Sequence, residues 1–271
     1  MQTTNYIGIT GVSSIGEVRE VKNIVDQLKR ASLLPPDKKV MLGYLVSHKT
    51  LNSMPTENRR YPLFKDLPEM LEAAGDNIFT MIHYNSRELD TLTEQVSKIF
   101  DFKDIYAKDL CKAFQLNMAW PDPKAIENIK SSYPEIMFVL SLTKDALSGK
   151  SSCEVAEKAK QYHGLADYIL IDSSGGQGKP FDIDQSADIY RALRNHFKTE
   201  KIVFAGGFGS DNISRRLEML IPELGTADFS IDAEKGVRIP LSKKYGDDLF
   251  SAENIEKYLT SAVADFKKRE K

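Results

Sequence analysis

Apolar runs rich in β-branched residues alternate with amphipathic segments along the whole chain. Eight of these runs are almost continuously apolar, which is typical of parallel strands that are covered on both faces. They lie at residues 6–12, 39–47, 78–84, 113–118, 136–142, 168–172, 202–208 and 227–232. The segments around them carry apolar residues at helical spacing, so each strand is predicted to be followed by a helix.

The predicted helices complete a repeating strand–helix order. They cover residues 17–33, 68–74, 86–100, 123–129, 152–162, 183–197, 213–220 and 252–268, and Ser86 is the expected N-cap of the third. Eight such units predict an α/β fold, a parallel eight-stranded (β/α)8 TIM barrel. No linker or change of composition interrupts them, so residues 1–271 are predicted to form a single domain. An open doubly wound sheet is the alternative, but the loop at 11–16 lacks the usual GxGxxG pattern.

The composition limits which binding partners and which cellular compartment we expect for the protein. The formal net charge of −2 over 271 residues favours neither a nucleic acid nor a membrane surface. No apolar run approaches the about 18–20 residues that span a bilayer, and the first residues lack the features of a signal peptide. Cys111 and Cys153 show no CxxC spacing, which fits a reduced compartment. We therefore expect a cytoplasmic protein; a homodimer is compatible with the sequence, which leaves the oligomeric state open.

The segment ADYILIDSSGGQGKPFD, at 166–182, places an acid and a glycine-rich loop together. Asp172 ends the predicted sixth strand and is the first candidate for catalysis. The next residues, Gly175, Gly176 and Gly178 with Lys179, are predicted to bind substrate, since glycine amides can face an anion. A surface loop capped by Asp172 is the alternative structural role.

Other candidates lie where predicted strands end. Gly206 and Gly207 follow the seventh strand, and the helix after them would present its N-terminus to an anion; a tight turn is the alternative. His83 ends the third strand and is predicted to be the second catalytic group, with His48 as the next choice. Hydrogen-bonded histidines at the rim are the alternative.

Asn117 and Asp232 end the fourth and eighth strands and are predicted to bind substrate. Together with Asp172 and the histidines they could hold a divalent cation, but side chains from different strands have no diagnostic spacing. We therefore assign no metal ligand and predict no cofactor, with a divalent metal left open.

Two predicted loops are longer than the rest, at 48–65 and 234–251. In a barrel enzyme such loops lie on the ligand-binding face, so the first is either a lid or ligand wall or a solvated decoration. Arg59 and Arg60 in this loop are predicted surface charges, with an anion clamp as the alternative. Trp120, after the fourth strand, either forms an apolar wall for a ligand or packs under its own loop.

Several motifs in chain order resemble those of one enzyme family. They are IGIT at 7–10, FQLN at 114–117, ILIDSSGGQGKPFD at 169–182, FAGGFGSDN at 204–212 and ADFSIDAEKGVR at 227–238. Together they resemble phosphoribosylanthranilate isomerases of tryptophan biosynthesis. The resemblance implies a (β/α)8 barrel with its site at the C-terminal mouth. It also implies an Amadori rearrangement of an N-linked phosphoribosyl group, with a cysteine base in the first strand and an aspartate acid ending the sixth.

Residue by residue, the resemblance is incomplete. Asp172 matches the family's aspartate, but Ile7 stands where the CGIT motif has its cysteine. Isoleucine cannot take a proton, so the family's standard mechanism is not expected. Asp232 replaces a glycine of the phosphate-binding loop, where a charged carboxylate would repel a phosphate dianion unless a cation intervened.

The sequence thus predicts a small-molecule enzyme of the phosphoribosylanthranilate isomerase-like superfamily. It would be an isomerase or lyase for an anionic, phosphorylated sugar-type substrate, using acid–base catalysis by Asp172. One alternative is a non-catalytic ligand-binding barrel, which a mouth plugged by Ile7, Met118 and Trp120 would favour. The other is a metal-dependent barrel enzyme.

Overall fold

Eight parallel strands close into a barrel. The computed structural model describes residues 3–172 and 182–268. Its strands follow chain order around the barrel, and the eighth pairs back to the first, which confirms the predicted (β/α)8 TIM barrel. They are β1 (Asn5–Thr10), β2 (Lys38–Ser47), β3 (Ile78–Asn85), β4 (Ala113–Leu116), β5 (Met137–Thr143), β6 (Tyr168–Asp172), β7 (Lys201–Ala205) and β8 (Ser230–Ala233).

Helices cover the outside of this barrel. They are α1 (Ile15–Arg30), α2 (His48–Leu51), α3 (Leu67–Ala74), α4 (Leu92–Phe100), α5 (Pro123–Ser132), α6 (Lys144–Leu147), α7 (Ser152–Ala159), α8 (Ile183–Arg194), α9 (Ile213–Leu224) and α10 (Ala252–Lys267). Side-chain caps fix several helix starts: the Ser14 hydroxyl accepts a bond from the Glu17 N–H, and Ser151 and Glu154 form a capping box. No helix in the described ranges is long and apolar enough to cross a bilayer.

The structure corrects two local expectations. The helix predicted at 86–100 begins only at Leu92, after a 3₁₀ turn over Leu89–Thr91, and the Ser86 hydroxyl accepts from the Glu88 N–H within a turn. The prediction that Ser86 is the N-cap was therefore wrong.

The loop after β8 contains a small antiparallel pair, β9 (Arg238–Pro240) and β10 (Asp248–Phe250). Strands of three residues are too short to show a periodic pattern.

Side chains of each strand alternate between two apolar shells. One shell fills the barrel interior and includes Tyr6, Phe79 and Tyr168, whose ring centroids lie 5.6–6.0 Å apart near the start of their strands. The other lies between strands and helices and includes Ile7 and Ile9. Because the aromatic layer fills the N-terminal end of the barrel, ligand access is left to the C-terminal end.

Candidate active site

A cavity of about 840 Å³ opens at the C-terminal mouth of the barrel. Six of the predicted site residues within the described ranges line it. These residues are His83, Asn117, Asp172, Gly206, Gly207 and Asp232. Gly175, Gly176, Gly178 and Lys179 lie outside the described residues, so their role stays a prediction. His48 begins α2 and does not line the cavity.

On β1, Gly8 and Thr10 face the barrel interior. A Cβ added at Gly8 would lie 2.7 Å from Asp232 Oδ1, so only glycine leaves room for that carboxyl. Ile7 has the opposite orientation and packs in the shell against the helices. The position that the resemblance compares with a catalytic cysteine therefore faces away from the cavity in this chain.

Asp232 is a buried carboxyl, 7% exposed, that accepts a 3.0 Å hydrogen bond from the Thr10 hydroxyl. Burial raises its pKa to about 8; the Thr10 bond opposes this shift, and the negative charges of Glu234 and Asp172 add to it. The carboxyl is thus mostly protonated at neutral pH. A charged carboxylate here would repel a phosphate, as the sequence indicated, but burial weakens this charge, and residue type does not reveal burial.

His83 lies on β3, separated from this carboxyl by Thr10 on β1 and Gly43 on β2. An added Cβ at Gly43 would lie 2.8 Å from His83 Nε2 and closer still to the Thr10 hydroxyl, so a glycine separates the two side chains. Burial lowers the pKa of His83 to about 3, which keeps the imidazole neutral at physiological pH. Its Nε2 is buried and has no hydrogen-bond partner within the described part of the chain.

Gln115 and Ser141 were missed as cavity residues. Gln115 Nε2 donates a 2.6 Å bond to Asn117 Oδ1 and so orients the predicted substrate-binding amide. Gln115 Oε1 and Ser141 Oγ are buried without a partner among the described residues, and both residues line the cavity. The available signal was a polar residue inside an otherwise apolar strand, in AFQL and MFVLSLT.

Gly206 and Gly207 turn the chain from β7 towards α9. Their φ angles of 102° and 70° lie in the left-handed region that favours glycine. The helix begins after Asn212, whose side chain accepts from the Gly209 N–H and donates to the Gly207 carbonyl. These contacts hold the turn at the cavity edge.

Arg60 joins the two long loops over the mouth. Its side chain is fully buried, with Nε bonds of 3.0 and 3.2 Å to Asp248 and a further ion pair to Glu234. The Tyr245 ring lies 4.5 Å from its guanidinium carbon. Arg60 is therefore neither a surface charge nor a clamp for a ligand. Arg59 is exposed, as predicted, and pairs with Asp247 at 3.3 Å.

Among the described residues, Ile7, Met118 and Trp120 do not plug the mouth, an arrangement that would have favoured a non-catalytic barrel. Met118 lines the open cavity, but Trp120 does not and instead stacks on Tyr162 at 6.3 Å. Within residues 3–172 and 182–268, no three His, Cys, Asp or Glu side chains group as metal ligands. The absence of a cofactor remains a prediction.

Comparisons with known proteins point to the same fold. No family model matches the chain. It is 29% identical over 79 residues to the N-(5'-phosphoribosyl)anthranilate isomerase of Methanocella arvoryzae. This match spans 29% of the chain and only 37% of that relative.

Solved structures extend the likeness over the whole chain. The phosphoribosyl anthranilate isomerase of Thermus thermophilus matches with a TM-score of 0.59 at 14% identity, over 99% of both chains. That of Thermotoga maritima matches with a TM-score of 0.56 at 16% identity, over 96% and 98%. The Ignisphaera aggregans GH53 catalytic domain scores 0.57 at 12% identity, over 95% and 94%. The chain is therefore a (β/α)8 barrel that resembles phosphoribosylanthranilate isomerases in fold and in part of its sequence.

Proposed function

We propose that the protein is a small-molecule enzyme that performs acid–base chemistry at the barrel mouth. The reaction class is isomerisation or lyase chemistry on an anionic, phosphorylated sugar-type substrate. One observation carries the proposal: the buried, protonated carboxyl of Asp232 shares a cavity with Asp172, whose charge contributes to the raised pKa of Asp232. When two carboxyls of one site lie in different environments, their pKa values differ, and one acts as the acid while the other acts as the base.

The proposed roles start from the protonated state of Asp232 at neutral pH. Asp232 holds a proton and donates it to a substrate oxygen, while the Thr10 bond fixes the direction of its carboxyl. Asp172 accepts a proton from carbon. An aldose-to-ketose rearrangement needs both transfers. His83 stays neutral and hydrogen-bonds the reacting part of the substrate, which makes it a binding group as much as a proton carrier.

An anionic substrate fits the charges at the edge of the cavity. Among the described residues, four cationic side chains line the cavity, and they are Arg87, Lys144, Lys235 and Lys243. Apart from Asp232, the same lining has three carboxyl side chains, Asp145, Asp172 and Glu234. The Gly206–Gly207 turn lies at the same edge. Cations around an opening attract an anion and raise its local concentration. Because Asp232 is protonated, it adds little repulsion against a phosphate.

Turnover of a panel of phosphorylated sugars and N-phosphoribosyl amines, including N-(5'-phosphoribosyl)anthranilate, tests the proposal. We expect Asp172→Asn and Asp232→Asn each to lower kcat by about 10²–10⁴-fold, the usual contribution of a proton-transferring group. Asp145→Asn is the matched control, since Asp145 is an exposed carboxylate in the same cavity with no proposed role. Wild-type turnover by both active-site variants would contradict the mechanism. Binding without turnover across the panel would favour the ligand-binding barrel.

A further inference from the structure

The floor of the cavity contains three buried polar atoms without a partner in the described ranges. They are His83 Nε2, Gln115 Oε1 and Ser141 Oγ, on the consecutive strands β3, β4 and β5. Their residues are 2%, 5% and 1% exposed, and all three line the cavity. A buried polar atom without a hydrogen bond costs about 1–3 kcal/mol. Three of them on consecutive strands around one cavity suit a group that a ligand supplies.

This floor carries no full charge at neutral pH. His83 is neutral there, and Asp232, on the other side of β1 and β2, is mostly protonated. The charged side chains that line the cavity lie at or beyond the strand ends. Asp172 is half-buried at the end of β6, Arg87 and Lys144 are exposed, and Glu234 is half-buried. A carboxylate or phosphate on the floor would lose its hydration without gaining a cation. An aromatic ring there would leave the three atoms unpaired.

We infer that His83, Gln115 and Ser141 form a subsite for the hydroxyl groups of a polyol or sugar chain, with the ligand's anion held at the cavity edge. The inference rests on the proposed function, whose substrate class it narrows. A hydroxyl donates to the amide oxygen of Gln115, which can only accept. Neighbouring hydroxyls pair with the serine and imidazole, which can each donate or accept. Gln115 and Ser141 are then specificity-determining residues.

Calorimetric titration of the full chain with four probes tests the subsite: ribose 5-phosphate, ribose, phenyl phosphate and inorganic phosphate. We expect ribose 5-phosphate to bind about tenfold or more tightly than phenyl phosphate or inorganic phosphate, because only its sugar pairs the buried groups. Ser141→Ala and Gln115→Met are expected to remove this preference. Ser186→Ala is the matched control: its Oγ is also buried without a described partner, but it lies in α8 and does not line the cavity.

Thermal unfolding separates a binding role from a structural one. Since the Ser141 hydroxyl makes no hydrogen bond to the described protein, Ser141→Ala is expected to keep or raise the Tm while it loses the sugar preference. The Tm of Ser186→Ala should likewise stay the same or rise, but this variant should keep the preference for ribose 5-phosphate. An unchanged preference in Ser141→Ala would overturn the inference. So would phenyl phosphate binding as tightly as ribose 5-phosphate, or no binding of either sugar.

The two proposals fail in different ways. Ribose and ribose 5-phosphate could bind with equal affinity, and Ser141→Ala could weaken the binding of both. That result would uphold the subsite and contradict the phosphate part of the proposed function. If ribose 5-phosphate binds tightly and neither Ser141→Ala nor Gln115→Met weakens its binding, the phosphate part of the proposed function is upheld and the subsite is overturned.

Discussion

At the scale of single residues, burial shifts the pKa values of two cavity-lining groups in opposite directions. It disfavours the charged form of each, so the pKa of the Asp232 carboxyl rises to about 8 and that of the His83 imidazole falls to about 3. Both are mainly neutral at neutral pH. The inner end of the cavity therefore offers hydrogen bonds rather than charge, and this sets which part of a ligand fits there.

Gly43 is predicted to be a position where one added methyl group damages the site. In Gly43→Ala the new Cβ would lie 2.8 Å from His83 Nε2 and would also strike the Thr10 hydroxyl, so both side chains must shift. We expect at least a tenfold loss of kcat/KM and a loss of about 1–3 kcal/mol in the free energy of unfolding. Enzyme kinetics and urea denaturation measure the two effects.

Gly16→Ala is the control for this substitution. Gly16 lies in the first turn of α1, where an added Cβ meets only Ser14 Oγ, at 3.8 Å. Alanine in a helix is expected to raise stability by about 0.5–1 kcal/mol and to leave kinetics unchanged. Similar results for the two alanine variants would show that the contacts around Gly43 do not constrain the site.

At the scale of elements, the loops after β2 and β8 behave as one unit. Arg60 and Arg238 both bind Asp248, and Arg238 also donates a 3.0 Å bond to the Gly11 carbonyl at the end of β1. Glu234, which lines the cavity, is held by Arg60 and by a 2.9 Å bond from the Tyr245 hydroxyl. This buried ionic cluster fixes the wall of the cavity without contacting its floor.

Removing Arg60 is predicted to loosen that unit. Arg60→Ala leaves the nearly buried Asp248 with fewer partners, and breaking a buried ion pair costs about 3–5 kcal/mol. Arg59→Ala removes an exposed ion pair from the adjacent position and is expected to cost less than about 1 kcal/mol. Urea denaturation of both variants measures the difference. Equal stabilities would mean that the cluster does not hold the loops.

At the scale of the whole molecule, the cavity floor makes global stability depend on pH. The folded-state pKa of Asp232 lies near 8, above its ordinary value of 3.8, so the folded state binds more protons than the unfolded state between those values. Stability from this group is therefore lost as pH rises towards 8. His83 acts oppositely between about pH 3 and its ordinary value of 6.5 and partly cancels the effect there.

The contribution of Asp232 is thus expected to appear alone between about pH 6.5 and 8. Over that range we expect Asp232→Asn to gain about 1–2 kcal/mol of unfolding free energy relative to the wild type. Asparagine can still accept the Thr10 hydroxyl bond, so this comparison mainly isolates the titration. Chemical denaturation at a series of pH values measures it. Parallel pH profiles for the two proteins would contradict the raised pKa.

The barrel itself could be predicted because it depends on local patterns. A continuously apolar run must be covered on both faces, and eight such runs separated by amphipathic helices leave few arrangements other than a closed parallel barrel. The same reasoning places strand ends together at one mouth, so Asp172, His83, Asn117 and Asp232 could be named as a group. Ser86 and the short strands β9 and β10 lack so strong a pattern.

The sequence by itself determined the (β/α)8 order and several of the residues that meet at its mouth, but not Gln115 or Ser141. Only the tertiary structure decided that Gly8 rather than Ile7 faces the barrel interior, that Arg60 is buried, and that the pKa of Asp232 is raised. The physical reason is distance along the chain: Thr10 and Asp232 are 222 residues apart, and Arg60 and Asp248 are 188 apart. The direction of a side chain, its burial and its protonation depend on such contacts, which appear only when the barrel closes.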